Sequence, residues 1–220
     1  MKSKRFLLLL LIGLAGCNQL PKVGSVNSER LAKENQSQIG SPRQELTSEI
    51  LFDYLLAETA LQREDLDIAI QSYSRLAKNT RDPRIAERAT DIALRARRPD
   101  AAQEAVAHWV NLEPNSMNAR QAAAALFVSI GKLDKAKPHL EKLLSSEKSS
   151  VDKAFMHLNK LLSRHPQKAE THKLVQSLAS KYPNLPEAHF AVSQAAWSNN
   201  QLDTALKEMK RALELRPDWE

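Results

Sequence analysis

From about Thr47 onward in this 220-residue chain, apolar residues recur three and four positions apart, and no run alternates as a strand would. Ile85, Ala86, Ala89, Ile92, Ala93 and Ala96 form one such stripe; Leu202, Ala205, Leu206, Met209 and Leu213 form another. That spacing collects apolar side chains on one face of a 3.6-residue helix, so the expected fold class is all-α. A slower period overlies it. Ala69, Ala102, Ala136, Thr171 and Ala205 stand 33, 34, 35 and 34 residues apart, and Pro114, Pro183 and Pro217 close three of the periods. A small residue returning at that interval, where two helices cross, predicts about five stacked helix–turn–helix units over residues 46–220.

In three of the units, Asp67, Asp134 and Asp203 fall just before or at the start of the second helix. An acid there can accept from free amides and meets the positive helix end. Gly131 is the only glycine after residue 40. It falls in the third turn, where a left-handed helix end is expected. The matching position holds Glu64, Arg97, Pro166 and Asn200 in the other units, away from the glycine preference. Pro138, inside the second helix of the third unit, removes one helical hydrogen bond and is expected to bend it.

These features resemble the tetratricopeptide repeat. In the last unit Ala205 and Ala212 take the small positions of the second helix and Pro217 closes it. Gly131, Leu133 and Ala136 match in the third, Ala102 and Pro114 in the second, Ala69 and Tyr73 in the first. A bulky Trp109 departs from the pattern in the second unit. The fourth matches least, with Thr171 in place of alanine and only Pro183 in position. The alternative is an irregular helical bundle.

The amino terminus is of another kind. Lys2, Lys4 and Arg5 precede an apolar run from Phe6 to Ile12, too short to span a bilayer and typical of a secretory signal. Leu14-Ala15-Gly16-Cys17 resembles a bacterial lipobox. The resemblance implies a signal peptide over residues 1–16, cleavage before Cys17 and three acyl chains on that residue, beyond the two signals a stable anchor requires. An ordinary signal peptide with an incidental cysteine is the other reading. Asn18 after the cysteine implies, by the sorting pattern of such lipoproteins, the outer membrane, with the protein facing the periplasm. Cys17 is the only cysteine, so no intrachain disulfide can form. Residues 17–45 are polar and read as a lipidated cysteine followed by a flexible tether. A coil of about 28 residues reaches roughly 30 Å. Leu31 and Ile39 could instead belong to a short helix docked on the array.

Charge adds little. Losing Lys2, Lys4 and Arg5 with the signal lowers the formal net charge from +6 to +3. Export and this modest balance both argue against a nucleic-acid partner. Catalytic chemistry is not indicated either. His108, His139, His157, His165, His172 and His189 lack the paired spacing of zinc hydrolases and are expected to be exposed helical residues. A single glycine in the array leaves no phosphate loop, and no serine lies in a nucleophile elbow. We therefore expect no enzyme activity, no metal and no cofactor.

Binding is better supported. In a tetratricopeptide array the first helix of each pair lines the concave surface. Arg84, Arg88, Asp91 and Arg95 are four, three and four apart and share one face of such a helix. Lys160 and Arg164 extend a basic surface in the fourth unit. Gln121 and Gln194 are candidates to pair with a peptide backbone, and Phe190 and Trp197 to offer apolar contact. Each of these has a plainer alternative, a solvated helix face or, for the two aromatics, core between units.

Leu55-Leu56-Ala57-Glu58, Thr80-Arg81-Asp82-Pro83 and Ala86-Glu87-Arg88-Ala89 resemble the opening repeats of large proteobacterial tetratricopeptide lipoproteins. The resemblance covers less than half of the chain. It implies a non-enzymatic scaffold or adaptor that binds other envelope proteins, among them a carboxyl-terminal processing protease and its cell-wall hydrolase substrates. A scaffold for cell-wall synthases or a pilus secretin is a sibling reading. A third is the binding part of a longer enzyme whose catalytic domain lies beyond Glu220. Asp218-Trp219-Glu220 reads as the opening of another helix, which predicts a longer protein and leaves Trp219 at an uncovered edge.

Overall fold

The computed structural model describes residues 45–146 and 150–219. Cys17, the lipobox and the expected tether as far as residue 44 lie outside them. Among the described residues ten helices follow one another: α1 (Ser48–Gln62), α2 (Leu66–Thr80), α3 (Pro83–Arg95), α4 (Pro99–Leu112), α5 (Met117–Ser129), α6 (Leu133–Ser146), α7 (Val151–Leu162), α8 (Lys168–Ala179), α9 (Pro186–Ser198) and α10 (Leu202–Leu215). The described residues contain no strand.

Four of the five pairs are built alike. In α1–α2, α3–α4, α5–α6 and α9–α10 a three-residue turn joins helices packed directly on one another. The middle residue of each turn is left-handed: Glu64, Arg97, Gly131 and Asn200 have φ of 59°, 54°, 74° and 59°. The next amide donates five residues back in every case, from Asp65 to Ala60, Arg98 to Ala93, Lys132 to Phe127 and Gln201 to Ala196. This is the Schellman closure of a helix end. Three non-glycine residues thus adopt the conformation that only Gly131 takes without strain.

The small residues stand where the helices cross. Ala69, Ala102, Ala136, Thr171 and Ala205 are all buried. Twelve residues before each lie Ala57, Thr90, Ala124, Asn159 and Ser193. Where both members are small the backbones approach: the Ser193 hydroxyl donates to the Ala205 carbonyl at 2.8 Å. In the fourth pair Asn159 stands against Thr171, and both line a narrow cleft.

That pair is the exception in its turn as well. Five residues separate α7 from α8, and they include Pro166, whose ring fixes φ near −65° and forbids a left-handed turn. The two helices barely touch; α8 packs against α6 and α9, while α7 packs against α9. His165 stitches this turn to the preceding unit. Its Nε2 lies 3.1 Å from the Val128 carbonyl, while Nδ1 faces the Gln167 amide at 3.3 Å and the Thr171 hydroxyl at 3.2 Å. An Nε2–H tautomer satisfies all three partners. His165 and His172 are buried, contrary to the exposed placement expected from sequence: His165 because the fourth turn uses its imidazole where the others use backbone bonds, His172 because it lies on the buried face of α8. His165→Ala strands a carbonyl, an amide and a hydroxyl, and is expected to cost about 1–3 kcal/mol in urea unfolding.

Asp67, Asp134 and Asp203 lie in the first turns of α2, α6 and α10, at the starts expected, but the cap of α2 is another residue. Asp65, not Asp67, caps α2 and accepts from the Ile68 amide at 3.2 Å. Asp67 reaches Arg98 at 2.5 Å, in the next pair. Asp134 and Asp203 lie in first turns, where they act through the helix dipole. Thr47, Asp82 and Ser116 cap α1, α3 and α5. Pro138 lies within α6, which continues to Ser146. Trp219 is half-buried rather than at an uncovered edge, with its ring 5.3 Å from Phe190 and the Arg216 guanidinium 4.9 Å away.

Candidate partner-binding face

The first helices of the pairs (α1, α3, α5, α7 and α9) carry all the binding residues proposed from sequence except Arg164, which lies two residues past the end of α7. Their states differ. Arg84 folds back on the cap of its own helix, with Nη2 2.6 Å and Nε 3.1 Å from the Asp82 carboxylate. The guanidinium bonds hold the Asp82 carboxyl below its ordinary value. Arg88 lies 4.0 Å from Glu58 and over the Tyr73 ring. Burial, reinforced by the Tyr73 hydrogen bond to Glu58, pushes the Tyr73 phenol up to about 12. Two of the four residues in that cluster are thus engaged within the array. Asp91 and Arg95 are exposed on the same helix, with Glu87 beside them, so α3 presents a mixed-charge surface.

On α7 the balance is different. Lys160 and Arg164 are exposed and carry no ion pair among the described residues. Lys153 and His157, missed from sequence, continue the row: 153, 157, 160 and 164 follow the four–three–four spacing already seen at 84, 88, 91 and 95. The same rule finds them.

Across from this row stands α5, with Gln121 and Ala125 exposed. The two helices α5 and α7 touch only slightly. A cavity of about 420 Å³ lies between them, floored by Leu140, Leu143 and Leu144 of α6. Gln121 and His157 stand at its polar edge. In the last pair Gln194 lines the Asn159–Thr171 cleft, Phe190 is half-buried against Trp219, and Trp197 is 64 % exposed. Among the described residues no three His, Cys, Asp or Glu side chains converge on a metal-sized site.

The remaining histidines belong to the packing. His108 Nε2 meets the Ala77 carbonyl at 2.9 Å, and His189 Nδ1 meets Glu208 at 2.7 Å. His139 stacks on Phe127; burial, then the nearby Arg120 charge, lowers its pKa. Burial also lowers that of His172, partly offset by Glu208, and its Nε2 has no hydrogen-bond partner. Both rings are therefore neutral in the fold at a pH where the unfolded chain, near 6.5, takes up protons. Their neutrality favours the fold fully above that value, and the advantage falls as pH drops below it. The urea midpoint is expected to be lower at about pH 5.5 than at about pH 7.5, and His172→Gln is expected to reduce the difference.

The model of the tetratricopeptide repeat matches residues 186–218, which hold the α9–α10 pair and its Schellman turn. The array is a tetratricopeptide-type α-solenoid. A TPR repeat-containing protein of Pseudomonas aeruginosa is 30% identical over 155 residues, 67% of this chain. The chain spans about a quarter of that relative's length, since the match covers 25% of it. Two solved MamA structures align with the solenoid. The first covers 78% of this chain and 94% of MamA at 17% identity and a TM-score of 0.47. The second, from Desulfovibrio magneticus, covers 80% and 99% at 15% identity and a TM-score of 0.45.

Proposed function

We propose that the chain is a non-enzymatic, lipid-anchored scaffold at the outer membrane, facing the periplasm, whose first-helix face docks another envelope protein. The observation that carries this reading is the row of exposed cations without ion pairs along α7 and just past its end, beside an open cavity in a tetratricopeptide-type solenoid. Residues 1–16 act as the signal, Cys17 as the lipid attachment and the following polar segment as the tether. Anchoring concentrates the solenoid in one layer of the envelope and raises the partner's effective concentration there. The motifs from Leu55 to Ala89 favour a carboxyl-terminal processing protease, or its cell-wall hydrolase substrates, as that partner.

The test is cross-linking in intact cells, capture from solubilised envelope and identification by mass spectrometry. A processing protease captured by the wild type and lost on Lys160→Glu with Arg164→Glu supports the adaptor. Cell-wall synthases or secretin subunits captured instead keep the scaffold and overturn the protease assignment. Soluble cytoplasmic fractionation of the chain overturns the anchor.

A further inference from the structure

A groove opens between α5 and α6 of the third pair and α7 of the fourth. Its base is apolar, made by Leu140, Leu143 and Leu144 of α6. Ala124 and Ala125 of α5 form one wall, and Leu158 and Leu161 of α7 the other. Leu161 and Met156 are 38 % and 42 % exposed, so apolar surface reaches solvent at and beside the α7 wall. A cavity of about 420 Å³ lies within the range that encloses a small ligand or a bulky side chain.

The rims differ in charge. On the α5 side, Asn118, Gln121, Ala125 and Ser129 are exposed and uncharged. On the α7 side, Lys153, Lys160 and Arg164 are exposed and make no ion pair among the described residues. Asp152 is half-buried one residue round the helix, and Glu141 of α6 is engaged by Lys181 at 3.0 Å. By contrast, Arg84 and Arg88 on α3 already face carboxylates. Arg95 is exposed and makes no ion pair among the described residues, but it shares its helix with exposed Asp91 and Glu87, whereas the α7 side of the cavity carries three such cations.

We propose that this groove binds an acidic segment of a partner protein through one bulky apolar side chain. The apolar group enters between α5, α6 and α7. Flanking carboxylates lie along Lys153, Lys160 and Arg164, and the Gln121 amide meets the segment's backbone. The inference rests on the reading of the first-helix face as the docking face, and it names the chemistry of what docks. Burial of the apolar anchor supplies most of the affinity, as at other interfaces with a desolvated centre. The exposed cations act chiefly on encounter and orientation.

The probe is a fluorescein-labelled octapeptide with a central Phe–Leu pair flanked by three acidic residues on each side. Its binding to the full chain is read by fluorescence anisotropy. Replacing the central pair by serines is expected to weaken binding about tenfold or more. Lys160→Glu with Arg164→Glu is expected to weaken it at least about fivefold and to flatten its salt dependence. Ala125→Trp, at an exposed position on the wall, is expected to block the cavity and leave only salt-sensitive residual binding; its helical circular dichroism reports the fold. Lys207→Glu on α10 is the control and is expected to change nothing.

Equal affinity for the serine peptide, or indifference to both groove variants, overturns the inference. Displacement of the probe by phosphatidylglycerol vesicles, lost in Ala125→Trp, overturns it in favour of a membrane surface. If the probe fails while cells still yield the same envelope partner with and without the groove variants, the groove falls and the scaffold stands. If neither the wild type nor any variant retains an envelope partner, the scaffold reading itself falls.

Discussion

Phe155→Ala is expected to lower stability by about 3–5 kcal/mol, the range for removing a fully buried aromatic. Phe155 is wholly buried on α7, within the cluster that holds Leu158, Leu162, Leu174 and Leu178. Its ring meets Tyr182 edge-on at 5.2 Å. In the other pairs a small residue at the crossing draws two helices together; here the helices stand apart and large side chains fill the gap. A cavity left by Phe155 therefore has little backbone contact across it to limit the damage. Because units in such an array contact mainly their neighbours, the loss is expected to be local first. Hydrogen exchange followed by mass spectrometry should show α7 and α8 losing protection while α1 and α2 keep theirs. A loss below about 1 kcal/mol, or a uniform change across the array, would contradict the packing described.

Arg216→Ala is expected to cost about 2–3 kcal/mol, although Arg216 itself is partly exposed. Its partner is the reason. Glu187 is 3 % exposed, sits in the first turn of α9 and bonds Arg216 at 2.6 Å. Its second oxygen has no hydrogen-bond partner. Removing the arginine leaves a buried carboxylate without its counter-charge, which is costlier than the pair was favourable. The substitution also removes the cation over Trp219, a smaller contribution. Glu187→Gln in the Arg216→Ala background removes the stranded charge and is expected to recover much of the loss. Guanidinium unfolding of the two single variants and the double variant reads the coupling directly. Additive losses would show that the carboxylate does not depend on Arg216.

The helices and their register were legible in the chain because both rest on local rules. Apolar spacing marked the buried stripes, and Ala69, Ala102, Ala136 and Ala205 marked the crossings. The oddity of the fourth unit was legible too, in Thr171 and in a proline where the other turns place Glu64, Arg97, Gly131 and Asn200. Its consequence was not. How far α7 and α8 separate depends on Asn159, Phe155 and the neighbouring helices together, and no spacing rule reports that. His165 likewise reads as an exposed turn residue until the Val128 carbonyl is seen 3.1 Å from it.

The binding face shows the same division. Arg84, Arg88, Asp91 and Arg95 do share a helix face, but helix periodicity does not reveal that Asp82 and Glu58 lie beside two of them. The α7 row was legible by the same spacing, and Lys153 and His157 complete it. The cavity beside that row belongs to three helices and so to tertiary structure alone. Cys17 and its lipobox carry their reading by motif, independently of the solenoid.

The central claim is that partners dock on the first-helix face, and site-specific photo-cross-linking in intact cells tests it most directly. A photoreactive residue is placed at Gln121, Ala125 or Gln194 on first helices, and at Lys142 or Lys207 on exposed positions of second helices. The account predicts one envelope protein joined from the first-helix positions and absent from the other two. Adducts formed only from Lys142 and Lys207 would contradict it.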